Sequence, residues 1–394
     1  MKKERVNRAD IIIMNDNNLG YVGGEIESQR IIIQATSQKY KVAVVQPGEY
    51  DEIIPNTEFY YRTKARRMKI LIKNPIAFIA YIFKTGSLIN KIQPKVIHTQ
   101  SQVCFFIVSL LRRLHLISRK TMFIHTDRGI YTSYNAFFKK LFLFSFKYLD
   151  MLVTTTEFNK VSWKEANEEK NIDLVYKVIG NTAGAIYENI DIKRIPKNRN
   201  YLTIGFAGRY CDQKNWPLAE EICKKVNSKS PKTHFSMMVG CFDEKDEVET
   251  QKMFDRMVAL YGDRFNGKIN VPFEDMEEFY YDIDVYILTS RKKSESFGRT
   301  IVEAMSRMTA VLTTDAGGSV EVVNKPYTVC DKAKDFASMI LQWEKGPEEL
   351  QQEKEVNFKR AHDVYSLDQN ISNYMMLYDE SMKNLSYKNK KREK

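Results

Sequence analysis

Short apolar runs alternate with longer stretches of helical periodicity along the whole chain. In the first half the apolar runs are Ile11–Met14, Val42–Val45, Val96–His98, Met122–His125 and Leu152–Thr155. In the second half they are Leu202–Phe206, Phe235–Val239, Asp284–Leu288, Ala310–Thr313 and Tyr327–Val329. Runs that are apolar on both faces are typical of parallel strands covered by helices on both sides. The pattern predicts two doubly wound α/β domains.

The boundaries of these domains follow from changes in polarity. The segment 186–200 is polar and basic and contains a proline, so we predict a linker there between a first domain at residues 1–190 and a second at residues 200–356. Residues 357–385 have apolar positions at helical spacing and are predicted as a helix. The basic tail at 386–394 is predicted to be disordered. Ligands of doubly wound sheets bind beyond the carboxyl ends of the strands, so functional residues are expected in the loops that follow them.

Composition narrows the class of protein. The chain has 394 residues, of which 43% are hydrophobic, so folded cores are expected. The formal net charge of +11 indicates an anionic partner, which could be nucleotide phosphates, nucleic acid or an acidic membrane surface. Five cysteines without paired spacing argue for a reducing compartment and against a zinc site. No apolar run approaches the ~20 residues of a membrane span, and no signal-peptide core is present, so we expect a cytoplasmic protein.

Two acidic residues follow the predicted strand at 284–288. Glu295 lies in the loop after that strand, and Glu303 lies inside a helix predicted to begin at Phe297-Gly298-Arg299-Thr300. A helix start presents unpaired N–H groups that suit a diphosphate, and Gly298 allows close approach of a ligand to the backbone. The carboxylate of Glu303 can accept two hydroxyl hydrogen bonds from a ribose, while Glu295 meets another part of the same ligand. The alternative is a pair of surface acids in ion pairs.

Two further loops follow predicted strands and carry glycines. Gly208, Arg209 and Lys214 follow the first strand of the second domain, where two cations could neutralise a diphosphate. Gly23 and Gly24 follow the first strand of the chain and allow a ligand close to the backbone, although they do not form a dinucleotide-binding G-x-G-x-x-G pattern. Ordinary solvated loops remain the alternative in both places.

Histidines and basic aromatic segments complete the set of candidates. His98 and His125 both end predicted strands of the first domain and could face a ligand, but no histidine has the neighbours of a catalytic triad. The segments 62–83 and 137–147 combine lysine and arginine with aromatic and aliphatic residues. Such segments either lie on anionic lipid or are core helices with a basic outer face, and the sequence leaves both interpretations open.

These motifs together resemble retaining glycosyltransferases of family 4, which have the GT-B fold. Glu295 and Glu303 resemble the E-x7-E motif of that family, and Gly208-Arg209 with Lys214 resembles its diphosphate-binding segment. Gly23-Gly24 resembles the N-terminal glycine loop, with Glu25 or Glu27 as the acid that follows it. His125 resembles the histidine at the end of a first-domain strand, with Asp127 as a competitor for that role.

The resemblance implies two facing Rossmann-like domains and a C-terminal helix that crosses back to the first domain. It implies transfer of a sugar, with retained anomeric configuration and without a metal or other cofactor, from a nucleotide-diphosphate donor that we expect to be UDP-linked. Arg209 and Lys214 would stabilise the leaving diphosphate, and Glu295 and His125 would hold the sugar. The donor site would comprise Gly23, Gly24, Gly208, Arg209, Lys214, Glu295, Phe297, Gly298, Arg299, Thr300 and Glu303.

The expected acceptor is a saccharide, and we expect it to be lipid-linked and used in the assembly of capsule or another surface polysaccharide. An anionic membrane surface is a further expected partner, which would place the cytoplasmic protein peripherally at the inner face of the membrane, whereas a nucleic acid is not expected. Three alternatives to the transferase stay open: a glycosyltransferase-like subunit that binds a protein without catalysis, a sugar-nucleotide epimerase, and a phosphorylase with pyridoxal phosphate. Neither the sugar nor the acceptor follows from the sequence.

Overall fold

The computed structural model describes residues 6–21, 24–195 and 199–392. By its internal contacts the chain divides into two compact units. The first holds the residues up to Gly180 together with those from Asn370 onward, and the second holds Asn181–Gln369. The first unit is therefore built from both ends of the chain, and the second is continuous.

Both units consist of short strands connected by helices. The strands are β1 (Ile11–Met14), β2 (Val42–Gln46), β3 (Thr57–Tyr61), β4 (Val96–Thr99), β5 (Met122–Asp127), β6 (Met151–Thr154), β7 (Val175–Val178), β8 (Thr203–Arg209), β9 (His234–Gly240), β10 (Phe265–Ile269), β11 (Val285–Leu288) and β12 (Ala310–Thr313). The helices are α1 (Gly24–Ser37), α2 (Met68–Leu71), α3 (Pro75–Ile92), α4 (Gln102–Arg113), α5 (Ala136–Phe146), α6 (Glu157–Glu168), α7 (Trp216–Asn227), α8 (Glu244–Tyr261), α9 (Met276–Asp282), α10 (Arg299–Met305), α11 (Gly318–Val323), α12 (Ala333–Lys345), α13 (Pro347–Tyr365) and α14 (Leu367–Arg392).

The sheet of the first unit is entirely parallel, with the order β3-β2-β1-β4-β5-β6-β7 among the described strands. Its two faces bury alternate residues of each strand, as a pleated strand requires. Ile12 and Met14 join the side chains of α3, α4, α5 and α6 on one face. Ile11 and Ile13 join those of α1 and α14 on the other face. The chain reverses its direction of strand addition between β1 and β4, which creates a crevice at their carboxyl ends.

The sheet of the second unit is also parallel, with the order β10-β9-β8-β11-β12 in the described part of the chain. Helices α7, α8 and α12 cover one face, and α9, α10, α11 and α13 cover the other. The corresponding reversal lies between β8 and β11, so the loops at 210–215 and 289–298 meet at one edge of the sheet. The predicted class of doubly wound α/β units is confirmed.

Some predicted elements differ from the structure. Tyr327–Val329 is not a strand: Tyr327 and Thr328 lie in the 3₁₀ turn Pro326–Thr328, and Val329 after it forms an isolated parallel bridge with Thr313. Strands β3, β7 and β10 were not predicted. Each is an edge strand with several partly exposed residues, so the apolar run that marks a buried strand is missing.

The C-terminal helical segment is two helices rather than the single one predicted from residue 357. Ser366 adopts an extended conformation between α13 and α14, and the Glu188 carboxylate accepts the Leu367 N–H at 2.6 Å at the start of α14. From Asn370 this last helix belongs to the first unit, so the predicted return of the chain to that unit is confirmed. The helix continues to Arg392, through most of the segment predicted as a disordered tail.

The boundary between the units also lies elsewhere than predicted, at Gly180 rather than at residue 190. The segment after it is bound to the second unit: Arg299 donates to the Ala183 carbonyl, and the buried Arg307 donates to the carbonyls of Ile186 and Tyr187. The predicted linker therefore begins inside the second unit, and its residues 196–198 lie outside the described residues. Among the described helices, none has the length and apolar composition that crossing a bilayer requires.

Candidate functional site

The loops after β8 and β11 bring the predicted acid and the predicted lysine of the second unit into contact. The Lys214 ammonium donates to Glu295 Oε1 at 2.6 Å, and the Ser290 hydroxyl donates to the same oxygen at 2.6 Å. Both side chains of the ion pair are largely buried, with 14% of Lys214 and 11% of Glu295 exposed. An ammonium has three N–H donors, so Lys214 keeps capacity for an anionic ligand beside this carboxylate.

Hydrogen bonds from side chains to backbone carbonyls hold the two loops together. The Thr289 hydroxyl donates to the Lys214 carbonyl at 2.8 Å, and the Gln213 side chain donates to the Ser294 carbonyl at 2.6 Å. Glu295 is fixed in turn by the segment after β12, since its N–H donates to the Ala316 carbonyl and its carbonyl accepts the Gly318 N–H. The ion pair is therefore positioned by three strand ends of one sheet.

Gly208 and Arg209 form the end of β8 beside this pair. A Cβ atom on residue 208 would lie 3.2 Å from both Cδ and Cε of Lys214, so the absence of a side chain allows the lysine stem to lie over the strand. The Arg209 side chain is exposed, with its guanidinium carbon 5.4 Å from the centre of the Phe242 ring. It has no carboxylate partner among the described residues. The guanidinium is thus available for an anion.

Glu303 is buried, which differs from the exposed helix acid considered as an alternative. Its Oε1 atom lies 3.1 Å from Arg299 Nε, and its Oε2 atom accepts from the Tyr280 hydroxyl at 2.8 Å. Burial raises the pKa of this carboxyl above its ordinary value, against the opposing effects of Arg299 and Tyr280. Each carboxylate oxygen has two acceptor sites, so Glu303 retains capacity for hydroxyl donors in addition to these partners.

The residues between the two acids have separate structural roles. Gly298 has φ of +86°, a left-handed conformation that an L side chain rarely adopts, and α10 begins at the next residue instead of at Phe297. Phe297 is buried against the edge of the Tyr365 ring. The Thr300 hydroxyl is hydrogen bonded to the Tyr286 hydroxyl at 2.8 Å. Phe297 therefore belongs to the core beneath the loop.

In the first unit, an open cavity of about 320 Å³ lies at the carboxyl ends of β1, β4 and β5. Asp16, Glu25, Gln100, His125 and Asp127 are among its lining residues. Gly23 of the predicted glycine loop lies outside the described residues, and Gly24 begins α1. Glu25 accepts from the Ser101 hydroxyl at 2.9 Å beside the cavity. Glu27 instead pairs with Arg30 at 2.9 Å.

His125 is fully buried, and its hydrogen bonds define its tautomer. Nδ1 lies 3.0 Å from the Thr99 carbonyl oxygen, which can only accept, so Nδ1 carries the proton. The ring stacks on Phe105 with centroids 4.2 Å apart. Nε2 is then an acceptor, and it has no hydrogen-bond partner among the described residues. Burial lowers the pKa of His125 to about 3, so the imidazole is neutral and can accept a hydroxyl hydrogen bond near neutral pH.

Asp127, the competitor of His125, lies at the same cavity but has its own partner. Its Oδ2 atom accepts from the Trp163 indole at 2.8 Å, and burial raises its pKa to about 6. Asp16 accepts the N–H groups of Val103 and Cys104 at the start of α4, and burial raises its pKa to about 6 as well. The cavity therefore contains two carboxyl groups that titrate well above the ordinary range for aspartate.

His98 does not contact this cavity. Its Nδ1 atom lies 2.7 Å from the Tyr378 hydroxyl of α14, and its Nε2 atom lies 2.7 Å from the Thr126 hydroxyl. Burial lowers its pKa well below the ordinary value for histidine. His98 thus joins the C-terminal helix to the sheet of the first unit.

Several residues of both sites were missed by the sequence interpretation. They are Ser290 and Tyr280 in the second unit, and Asp16 and Gln100 in the first. Ser290, Asp16 and Gln100 each lie within two residues of a strand end, which is the position where ligand contacts are expected in a doubly wound sheet. Tyr280 lies in α9, away from any strand end, and no local signal distinguishes it from a core tyrosine.

Comparison with known proteins agrees with this arrangement. Residues 187–360 match the model of the family described as glycosyl transferases group 1. A search of curated protein sequences gave no match.

Solved structures with similar folds cover nearly the whole chain. HepE of Anabaena, in complex with UDP and glucose, is 14% identical with a TM-score of 0.71, and the match covers 94% of this chain and 100% of that one. Sucrose-phosphate synthase of Thermosynechococcus elongatus is 16% identical with a TM-score of 0.73, covering 95% and 99%. A glycosyltransferase of Rickettsia africae is 18% identical with a TM-score of 0.71, covering 96% and 99%. The chain therefore has the GT-B fold, and its residues 187–360 match the model of glycosyl transferases group 1.

Proposed function

We propose that this protein is a retaining glycosyltransferase that moves a sugar from a nucleotide-diphosphate donor to a saccharide acceptor. The observation that carries the proposal is the buried Lys214–Glu295 pair beside the exposed Arg209. These residues meet at the carboxyl ends of adjacent strands, within the region that matches the glycosyltransferase family model. A cation pair next to a carboxylate suits a ligand with a diphosphate at one end and hydroxyl groups at the other.

The donor is proposed to carry uridine diphosphate. Two of the similar solved structures are described as complexes with UDP and glucose or with UDP-glucose, which supports this choice of nucleotide. Arg209 and Lys214 bind the diphosphate, and Glu295 accepts hydrogen bonds from sugar hydroxyls. Glu303 accepts hydrogen bonds from the ribose hydroxyls in addition to its contacts with Arg299 and Tyr280.

The chemical step is proposed to take place on one face of the sugar. The bond between the anomeric carbon and the diphosphate oxygen breaks as the acceptor oxygen bonds to the same face, and the acceptor proton passes to the departing phosphate oxygen. Arg209 and Lys214 stabilise the charge that develops on that phosphate. In the first unit, His125 Nε2 is proposed to accept from a saccharide hydroxyl in the cavity that His125 lines. The two cations are proposed to act without a metal ion, which a titration with EDTA would test.

The acceptor is proposed to be a lipid-linked saccharide used in surface polysaccharide synthesis, which would bring this protein to the inner face of an anionic membrane. The first-unit cavity offers carboxylate, amide and imidazole acceptors to a ligand rich in hydroxyl groups. A saccharide has that chemistry.

A thermal-shift panel of nucleoside diphosphates and nucleotide sugars tests the donor site. A ligand that binds only the folded protein raises its melting temperature. We expect UDP and a UDP-sugar to stabilise the wild type, and Lys214→Ala and Glu295→Gln to lose most of that shift. Lys225→Ala, an exposed lysine of α7, is the matched control and should keep it. Equal stabilisation of all three variants would contradict the assignment of the site.

Product analysis tests the reaction itself. Release of UDP that depends on an added saccharide acceptor supports transfer, and NMR of the product reports whether the anomeric configuration is retained. Conversion of the nucleotide sugar without any acceptor would indicate an epimerase instead. Donor binding without turnover across a broad acceptor set would favour a subunit that binds without catalysis.

A further inference from the structure

Positive charge is concentrated in one part of the first unit. Residues 59–149 contain 17 lysine and arginine residues and a single acidic residue, Asp127. Their net charge of +16 exceeds the +11 of the whole chain, so the remaining residues carry −5. Because Asp127 is only 2% exposed, no acidic side chain of this segment reaches the surface. Such segregation points to a specific anionic surface as partner, rather than to general solubility.

The same segment carries exposed apolar side chains on two helices. On α3, Ile76, Ile79 and Phe83 recur at helical spacing, and Ile76 is 82% exposed. On α5, Phe137 is 68% exposed, and Phe138 and Phe144 are exposed as well. Exposed lysines lie on and beside these helices, and they include Lys73, Lys84, Lys140 and Lys147. Single exposed apolar residues are ordinary on protein surfaces, but a group of this size rimmed by one sign of charge marks an interaction site.

The two helices lie in one layer of the unit. Helices α3, α4 and α5 cover the same face of the sheet, and Phe106 of α4 stacks on Phe138 of α5 with centroids 6.5 Å apart. We name the exposed side chains of α3 and α5 the basic apolar face. In a parallel sheet the connecting helices begin near the carboxyl ends of the strands, so Ile76 and Phe137 lie toward the edge where the cavity opens. Gln102, in the first turn of α4, lines that cavity.

We propose that the basic apolar face docks on an anionic lipid bilayer, with the apolar side chains of α3 and α5 inserted at the level of the headgroups. Lysine next to exposed aromatic and aliphatic residues is the composition that binds such interfaces, and each cation near an anionic bilayer raises the affinity about fivefold. A second copy of the chain would bring like charges together, and a nucleic acid would leave the apolar side chains against phosphates. An anionic bilayer offers both the complementary charge and an apolar layer for insertion.

This inference deepens the proposed function and rests on it for the acceptor alone. A lipid-linked saccharide whose lipid stays in the bilayer would reach the cavity from the edge that Ile76 and Phe137 border. Docking itself requires no glycosyl transfer. Bilayer binding can therefore be measured, and can fail, independently of UDP binding in the second unit.

Flotation of the full chain with vesicles tests the docking. We expect binding to vesicles of phosphatidylcholine mixed with phosphatidylglycerol, little binding to phosphatidylcholine alone, and weakening of the binding by salt. The apolar variant Ile76→Ser/Phe83→Ser/Phe137→Ser and the charge variant Lys84→Glu/Lys140→Glu/Lys147→Glu should each lower partitioning about tenfold or more. Thermal melts and UDP binding of both variants should stay close to the wild type, which shows that they fold.

Matched controls lie on the second unit. Val248, Val258 and Leu260 of α8 are similarly exposed, and their triple change to Ser should leave vesicle binding intact. Equal binding to neutral and anionic vesicles, or unchanged partitioning of both face variants, overturns the proposal. So does tighter binding to RNA or DNA than to vesicles, or a dimer in sedimentation that the apolar variant abolishes, since either would assign the face to a different partner.

Discussion

At Gly208, the absence of a side chain determines where the Lys214 ammonium lies. The aliphatic part of the Lys214 side chain lies over the strand at Gly208. A methyl group on residue 208 would lie 3.2 Å from two carbons of that side chain. Such contacts are tighter than normal packing, so the lysine would have to move. Its position against Glu295 depends on this close approach.

Gly208→Ala should therefore weaken UDP binding about tenfold while changing the free energy of unfolding by less than ~1.5 kcal/mol, because the shift needed is a few tenths of an ångström in one flexible side chain. Isothermal titration calorimetry and chemical denaturation measure the two quantities. Gly240→Ala is the control at the end of the neighbouring strand, where the nearest atom to a new Cβ is 3.9 Å away. A similar loss of affinity in both variants would show that Lys214 placement is not the cause.

His125 should give the protein a characteristic response to acid. Its folded pKa of about 3 lies below the ordinary 6.5, so the unfolded state binds one more proton between these values. Stability is therefore lost as pH falls from about 6.5 toward about 3, by up to ~1.4 kcal/mol per pH unit from this group. In His125→Asn, whose amide can still donate to the Thr99 carbonyl, that loss should be absent.

The measurement is the difference in unfolding free energy between wild type and His125→Asn at several pH values. Asp16 and Asp127 have raised pKa values near 6, so each adds stability as pH falls through that range, with the opposite sign to His125. Both proteins contain them, and their contribution cancels in the difference. A difference independent of pH would mean that His125 has the same pKa in the folded and unfolded states, which would contradict the lowered pKa.

At the level of single residues, the sequence predicted which residues are candidates for ligand binding better than it predicted which of them are buried. Glu295 and Lys214 could be assigned because each follows a predicted strand and lies near a glycine, Gly298 for Glu295 and Gly208 for Lys214. That Glu303 is buried against Tyr280 and Arg299, and that Phe297 lies in the core, depends on helices α9 and α13, which come from distant parts of the chain. Such packing has no local sequence signal.

At the level of elements, central strands were predictable and most edge strands were not. Strands β1, β4 and β5 are buried on both faces and read as continuous apolar runs. Strand β10 has one buried residue, Phe265, followed by exposed and partly exposed ones that include a glycine and a lysine, so it gives no such run. The break at Ser366 was not predicted because the apolar spacing continues across it. The Glu188 carboxylate, which accepts the Leu367 N–H at the start of α14, lies far away in sequence.

The docking of α14 depends on a buried hydrogen bond that can be tested. Tyr378→Phe removes the hydroxyl 2.7 Å from His98 Nδ1, and an unsatisfied buried group costs about 1–3 kcal/mol. Denaturant titration should show this loss of unfolding free energy for Tyr378→Phe, with no change in the slope of that free energy against denaturant concentration. Tyr61→Phe, at an exposed tyrosine of β3, should cost less than ~0.5 kcal/mol. Equal stabilities would show that Gln100, 3.2 Å from the same nitrogen, satisfies it alone.

At the level of the whole molecule, the two units differ in continuity. The second unit is one segment that contains Arg209, Lys214, Glu295 and Glu303. The first unit needs α14, whose Tyr374, Leu377 and Tyr378 are buried in its core. The alternation of strands and helices predicted two units from the sequence, but the contribution of the far C-terminus to the first core came from the resemblance alone.

We therefore expect residues 181–369 to fold alone and bind UDP, and residues 1–180 alone to expose an apolar face and aggregate. Circular dichroism melts and calorimetric UDP titration test the first fragment, and sedimentation tests the second. Joining residues 370–394 to the 1–180 fragment through a flexible linker should restore its solubility, since this supplies the missing helix α14. A monomeric, cooperatively melting 1–180 fragment would contradict the role given to α14.

The shared construction of the first unit also has a consequence for synthesis on the ribosome. Domains usually fold in the order in which they emerge, at about 5–20 residues per second. Here the second unit is complete before the first, because the helix that closes the first follows the second unit along the chain. For roughly 10–40 seconds one apolar face of the first unit's sheet is covered by α1 without α14, which is long enough for chaperones to bind it. The nascent chain is thus most vulnerable in the half that was translated first.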